Sequence, residues 1–419
     1  MNLEARRAVE ALRAGVPNRD AVEFLGLNQP EIGSRFGDLM ERLEEPHGGA
    51  VQGFIVGGEF GAGKSHVLQA LKLDALRNHF ATSLVTISKE TPLSSLDEVF
   101  KAAIRGLALP DRRPGDLNEV AMQLRPDSDR YRAFDSALRD GEVPVDPLFV
   151  ATLLLSENIR PDEELADRIY TFWAGGRIKL AEVKRSLRFL PDPGIKIGRA
   201  PAAAALAMDR FRFAAGLMRA AGYKGWVLLL DEVELVASFS LKARAKAYVE
   251  LAWLLGYDDQ PVKGLGVVAA ATQEFTGIVL REKQDQVKIP ASAMAVKDPA
   301  LVLRAGAALK TIAERPTTWE RIVPQSAQDL DAAYRQVRDL YRRAFEWESE
   351  SAARPPYADV ARSMRMHVRE WITRWDLERL DPSYSAHIET ELMRPDLSER
   401  EGLEGFSERD ENDDSDAAD

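Results

Sequence analysis

The sequence predicts an α/β protein built on a parallel sheet, with a long helical insertion and a helical C-terminal part. Two observations carry this expectation. The continuously apolar run Gly53-Phe54-Ile55-Val56-Gly57 leads straight into a glycine-rich loop and then into helical periodicity from Ser65 to Phe80. A second such run, Trp226 to Leu230, stops abruptly at Asp231-Glu232. Runs that are apolar at every position suit strands buried on both faces, and a strand–loop–helix order opens a parallel sheet.

Taken in order, residues 1–47 read as a helical segment. Val9 and Leu12 lie on one stripe, and Gly15-Val16-Pro17-Asn18 breaks it. Asn18 suits the N-cap of a second helix with Val22, Phe24 and Leu25, and Ile32, Phe36, Leu39 and Leu43 follow at spacings of three and four. Residues 48–298 form the expected α/β core, with further strands at Ser83 to Ser88 and Gly266 to Ala271 and a helix at Leu241 to Leu255. Inside it, about 94–205 reads as a mostly helical insertion, broken near Pro110, Pro144 and Pro191. Residues 299–398 are expected to be helical throughout, with one stripe of Leu330, Val337, Leu340 and Ala344 and another of Met364, Val368, Trp371 and Trp375.

Composition narrows the chemistry. The chain has no cysteine, which excludes a disulfide framework, a thiolate nucleophile and a cysteine-based zinc site. No segment approaches the roughly 18 uninterrupted apolar residues of a membrane helix, and the first residues carry Glu4, Arg6, Arg7 and Glu10 rather than an apolar leader, so a cytoplasmic protein is expected. Of the net charge of −11, a net −8 falls within residues 399–419, a stretch expected to be a disordered acidic tail, which leaves −3 for residues 1–398. That near-neutral body neither favours nor excludes nucleic acid.

The loop Gly58-Glu59-Phe60-Gly61-Ala62-Gly63-Lys64-Ser65 has the full spacing of a Walker A phosphate loop. Glycines let backbone N–H groups turn inward around phosphates, and the following helix offers the positive end of its dipole. Lys64 is expected at the β- and γ-phosphates and Ser65 on Mg2+, with His66 next in line. Asp231, at the end of an apolar strand, is placed to hold the magnesium shell, and Glu232 to polarise the attacking water. Thr272 ends another buried strand, where a polar side chain plays the sensor role in AAA+ ATPases; Gln273 is the alternative. No Asn-Lys-x-Asp guanine-reading motif follows the loop, which makes ATP the expected nucleotide.

Arginines must offset charge on the transferred phosphoryl group, in cis or from a neighbouring subunit. Arg365 opens the last helix, where a lid arginine would sit, and Arg281 and Arg304 follow the sensor strand as candidate fingers acting in trans. Lys184, Arg185 and Arg188, and separately Lys242, Arg244 and Lys246, form basic clusters that suit either phosphate contacts or solvated helix faces.

The string from Arg6-Arg7-Ala8-Val9-Glu10 through Gly15-Val16-Pro17-Asn18 to Val22 resembles the opening of BREX system ATP-binding proteins of the BrxD kind. Gly61-Ala62-Gly63-Lys64-Ser65-His66, Leu228-Leu229-Leu230-Asp231-Glu232-Val233-Glu234 and Met364-Arg365-Met366-His367-Val368-Arg369-Glu370 are similar to the same family, over most of residues 5–385. The resemblance implies an AAA+ core related to the origin-recognition branch, with a C-terminal helical lid and Arg365 as the lid arginine. It further implies an ATP-hydrolysing component of a prokaryotic phage-defence system. Such a component would work as a homo-oligomer or hetero-assembly, beside an Lhr-like helicase or other defence proteins, with DNA a further partner it allows. The chain departs from the pattern in the separation of about 167 positions from Lys64 to Asp231, and after Met393 too little remains for a separate DNA-binding domain. A nucleotide-gated switch or scaffold with little turnover is the competing expectation.

Overall fold

The computed structural model describes residues 2–381 and 383, apart from 16–18, 46–50, 111–114, 159–162, 191–193, 199–200, 202, 259–260, 325 and 349–363. Asn18 and the acidic tail at 399–419 therefore lie outside the described residues.

Six strands, β1 (Phe54–Gly58), β2 (Ala81–Thr86), β3 (Leu107–Ala108), β4 (Trp226–Asp231), β5 (Leu265–Thr272) and β6 (Trp319–Arg321), form one sheet in the order β3-β2-β4-β5-β1-β6. All neighbours are parallel except β2 and β3. Every residue of β1, β4 and β5 is buried, as continuous apolar runs require. Alternation within them divides two layers. Phe54, Val56, Val227, Leu229, Val268 and Ala270 face one side, packed by Ile32, Phe36, Leu39 and Leu43 of α3 (Pro30–Glu44) and by Val67, Leu68 and Leu71 of α4 (Lys64–Arg77). Ile55, Leu228, Leu230, Val267 and Ala269 face the other, where the insertion helices and the Leu241–Leu254 helix join one large core. The stretch expected as an insertion thus takes part in the sheet's packing: its Phe100 meets edge-on both Trp226 of β4 and Phe211, which stacks on Trp226 at 5.6 Å.

The expectation of helix throughout 299–398 needs correction. Helices run over Pro299–Glu314, Ala327–Phe345 and Met364–Leu380, but Trp319–Arg321 is β6, paired with Ile55 to Gly57 of β1. Three residues at a sheet edge are too few to show a period. β3 is a two-residue strand, equally invisible within a helical stretch.

The N-terminal helix α1 (Leu3–Ala14) does not share α3's partner, and α2 (Arg19–Leu25) bridges the two groups, with Val22 on Ala70 and Leu73 of α4. Ala5, Ala8, Val9 and Ala21 pack with Val337, Tyr341, Trp371 and Trp375 of the last two helices. Arg13 clamps Asp376 with two hydrogen bonds of 3.0 and 2.9 Å, and Tyr341 donates to the same carboxylate at 2.8 Å. No helix among the described residues is long and apolar enough to cross a membrane.

Candidate functional site

The site lies where β1, β4 and β5 end. β1 delivers Gly58 to the loop, and Gly61 (φ 82°) and Gly63 (φ 99°) take left-handed backbone that only glycine adopts without strain. Gly63 caps α4, whose first turn carries no acid, so its positive end is not internally neutralised. The loop closes on Lys64, a residue 8% exposed whose ammonium donates to the carbonyls of Gly58 and Glu59 at 3.2 Å each.

A residue given no role by its position in the sequence completes this arrangement. Glu234 is buried with Oε1 3.6 Å from Lys64 Nζ, while its Oε2 has no hydrogen-bond partner. Burial pushes its carboxyl up from the ordinary value, and Lys64 opposes that shift. Beyond Asp231 the chain turns at Glu232 in left-handed backbone (φ 58°, ψ 34°) into a 3-10 turn at Val233–Ser238. That turn brings Glu234 beside the loop. The available signal was the third acid in Asp231-Glu232-Val233-Glu234, three residues after the first.

Asp231 is buried and accepts the Glu232 backbone N–H at 3.0 Å. Glu232 is exposed, in strained backbone. Burial and the neighbouring Asp231 push its carboxyl up, against the pull of Lys64 and Arg365. β5 lies between β4 and β1, and its last residue, Thr272, is in register with Gly58. Its buried Oγ1 has no hydrogen-bond partner. Gln273 beside it is exposed.

The remaining candidates divide. The Arg365 guanidinium sits 5.7 Å over the Phe60 ring, which is 45% exposed, so the last helix reaches the phosphate loop. The His66 ring nitrogen bonds the Gly26 carbonyl at 2.8 Å, which ties the start of α4 to the segment after α2. Burial pulls that imidazole's pKa down, keeping it neutral. Ser65 lies half-buried at the head of α4, and Glu59 and Ala62 complete the loop. Arg281 is exposed, whereas Arg304 pairs with Asp258 at 3.6 Å.

The basic cluster at Lys242, Arg244 and Lys246 is not a surface cluster. Arg244 is 3% exposed, clamps Asp285 with two 2.8 Å hydrogen bonds and donates to the Phe239 carbonyl; Tyr248 donates to Asp285 at 2.6 Å. Positions two apart on a helix point to nearly opposite faces, so Arg244 turns inward as Lys242 and Lys246 turn out.

An anion cradle around a buried ammonium, with an orphaned hydroxyl and acids at adjoining strand ends, fits a nucleotide triphosphate. A family model described as BREX system ATP-binding protein BrxC/D matches residues 2–123 and 202–280. These segments hold the phosphate loop, the acids at 231–234 and Thr272. No curated protein matches the chain.

Proposed function

The chain belongs to the BREX system ATP-binding protein BrxC/D family, a phage-defence family, and on that premise we propose that it is a magnesium-dependent AAA+ ATPase. The convergence of Lys64, Glu232 and Thr272 at the ends of three adjacent strands carries this reading. The placement of β5 between the loop strand and the acid strand supports the AAA+ assignment, because Thr272 ends the strand next to both.

Backbone N–H groups around Gly61 and Gly63 and the head of α4 hold the phosphates. Lys64 exchanges the Gly58 and Glu59 carbonyls for phosphate oxygens. Ser65 and Asp231 would hold Mg2+, which supplies charge neutralisation at the β- and γ-phosphates. Among the described residues no group of three or more His, Asp or Glu is suited to hold a metal alone, so phosphate and water would complete that shell. Glu232, whose raised carboxyl pKa favours proton acceptance, orients and deprotonates the attacking water. Thr272 hydrogen-bonds the water or the γ-phosphate, and Arg365 swings from Phe60 to offset charge on the transferred group.

The chain acts in the cytoplasm of a prokaryotic cell, within a homo-oligomer or with defence partners such as an Lhr-like helicase, and on or near DNA. Both finger candidates are exposed, and Arg281 is the one not held by the Asp258 contact that Arg304 makes, which leaves it for a neighbouring subunit. Steady-state ATP turnover tests the reading: Glu232→Gln should bind ATP and lose hydrolysis by about 100-fold or more. Unchanged turnover in that variant removes Glu232 from the chemistry. A nucleotide-gated switch is the second reading, supported by the His66–Gly26 tie and the packing of α1 and α2 on the last helices. It predicts ATP binding by the parent with no turnover above that of Glu232→Gln.

A further inference from the structure

The helix Leu180–Leu187 lies in the stretch between the two segments matched by the family model. Val183 and Leu187 are buried, and on the opposite face Lys184, Arg185 and Arg188 are all exposed, at the i, i+1 and i+4 spacing of one helical face. After the helix, Phe189 stands 83% exposed. Further on, Ile195 and Ile197 pack against the core, which turns Lys196 outward. Lys184 donates to the Gly198 carbonyl at 3.1 Å, drawing that extended segment alongside the helix. From Lys184 to Arg199 the chain holds five cations against one acid, Asp192, in a protein of net charge −11.

Some of this charge has a local purpose, since Lys184 and Arg185 lie in the last helical turn and complement its dipole. That accounts neither for Arg188 and Lys196 nor for a phenyl ring left in water between them. Among the described residues no carboxylate pairs with Lys184, Arg185, Arg188 or Lys196, whereas Glu182, on the same helix, is held by Arg168 at 2.7 Å. Cations that track a backbone beside an exposed aromatic platform suit an unpaired strand, whose phosphates take the charge and whose bases can stack. A duplex offers the phosphates but keeps its bases from the ring.

We propose that the surface formed by Lys184, Arg185, Arg188, Phe189 and Lys196 binds single-stranded nucleic acid, with Phe189 as the stacking platform. The inference deepens the DNA-associated part of the proposed function and does not depend on hydrolysis. Binding of a fluorescein-labelled oligothymidylate to the full chain, followed by anisotropy without nucleotide, tests it. The parent should bind with a log–log salt slope of about −3, from four phosphate contacts. Phe189→Ala should weaken binding about 5- to 100-fold at an unchanged slope. Arg185→Glu with Arg188→Glu should flatten the slope by at least about 1.4. All these positions are exposed, so the thermal melts and the ATP turnover of these variants should match the parent. An oligouridylate titrated in parallel assigns the sugar, and tight binding of either strand supports the surface. A parent with no salt-dependent binding overturns the proposal, as does a Phe189→Ala chain that binds like the parent, or a duplex that competes equally with the single strand. A parent that turns over ATP but does not bind the strand sinks this surface alone, while a parent that binds the strand and does not turn over ATP sinks only the hydrolytic reading.

Discussion

The Lys64 ammonium stands 3.6 Å from Glu234 Oε1, so the phosphate loop holds its own counter-charge. A triphosphate entering the loop competes with that carboxylate for the lysine and is repelled by it. Glu234→Gln should therefore tighten ATP binding by about tenfold, or about 1.4 kcal/mol, while misplacing Lys64 enough to lower kcat. Calorimetric titration with ATP and Mg2+ reads the first effect and steady-state turnover the second. Weaker binding in the variant would mean that Glu234 supports the nucleotide rather than competing with it.

Thr272 offers a complementary test. Its buried hydroxyl has no hydrogen-bond partner and would gain one only when phosphate or water arrives. Thr272→Val should leave the empty protein as stable as the parent, or about 1 kcal/mol more stable, and slow turnover about tenfold or more. A loss of stability in the nucleotide-free protein, measured by urea denaturation, would assign the hydroxyl to the core instead.

Arg244→Ala should act wholly on stability. It strands Asp285, which is fully buried, and removes a donor from the Phe239 carbonyl, at a cost of about 3–5 kcal/mol. Arg244→Ala with Asp285→Ala should recover part of that loss. A single variant that melts like the parent but binds nucleic acid more weakly would restore the surface reading.

Glu250 gives a pH dependence. Burial pushes its carboxyl up to about 7, against Lys246 and Arg304, and its Oε2 has no hydrogen-bond partner. A carboxyl raised in the folded state favours the protonated form, so its contribution is complete below the unfolded value near 4.5 and is lost as pH rises through about 7. Glu250→Gln, neutral at every pH, should exceed the parent's stability by about 1–3 kcal/mol at pH 8, with the difference vanishing toward pH 4.5. Thermal melts across that range decide it, and a difference independent of pH would remove the carboxyl as the cause.

The parts legible in the sequence were those that burial writes into consecutive residues. β1, β4 and β5 are sealed on both faces, so Phe54 to Val56, Val227 to Leu230 and Val267 to Ala271 are apolar without a break. The loop glycines were legible because left-handed backbone demands them. β6 escaped notice because Trp319 is only half-buried and its partners in β1 lie more than 250 residues earlier. Glu234 was hidden because its role depends on the turn after Glu232, and Arg244 was misplaced by counting charges along the chain instead of around the helix. The docking of α1 on the last helices leaves no local trace, since Ala5, Ala8 and Val9 state what is buried and not against what.

That docking has a consequence during synthesis. Arg13 and Asp376 are separated by 363 positions, so α1 emerges from the ribosome long before its partner exists. At about 5–20 residues per second, the first helix waits about 20–70 s with Ala8 and Val9 uncovered. The sheet and the phosphate loop can form in that interval, but the contact between Arg365 and Phe60 cannot. Each newly made molecule thus can form its nucleotide cradle first and sets the arginine over Phe60 only once the Met364–Leu380 helix has been made.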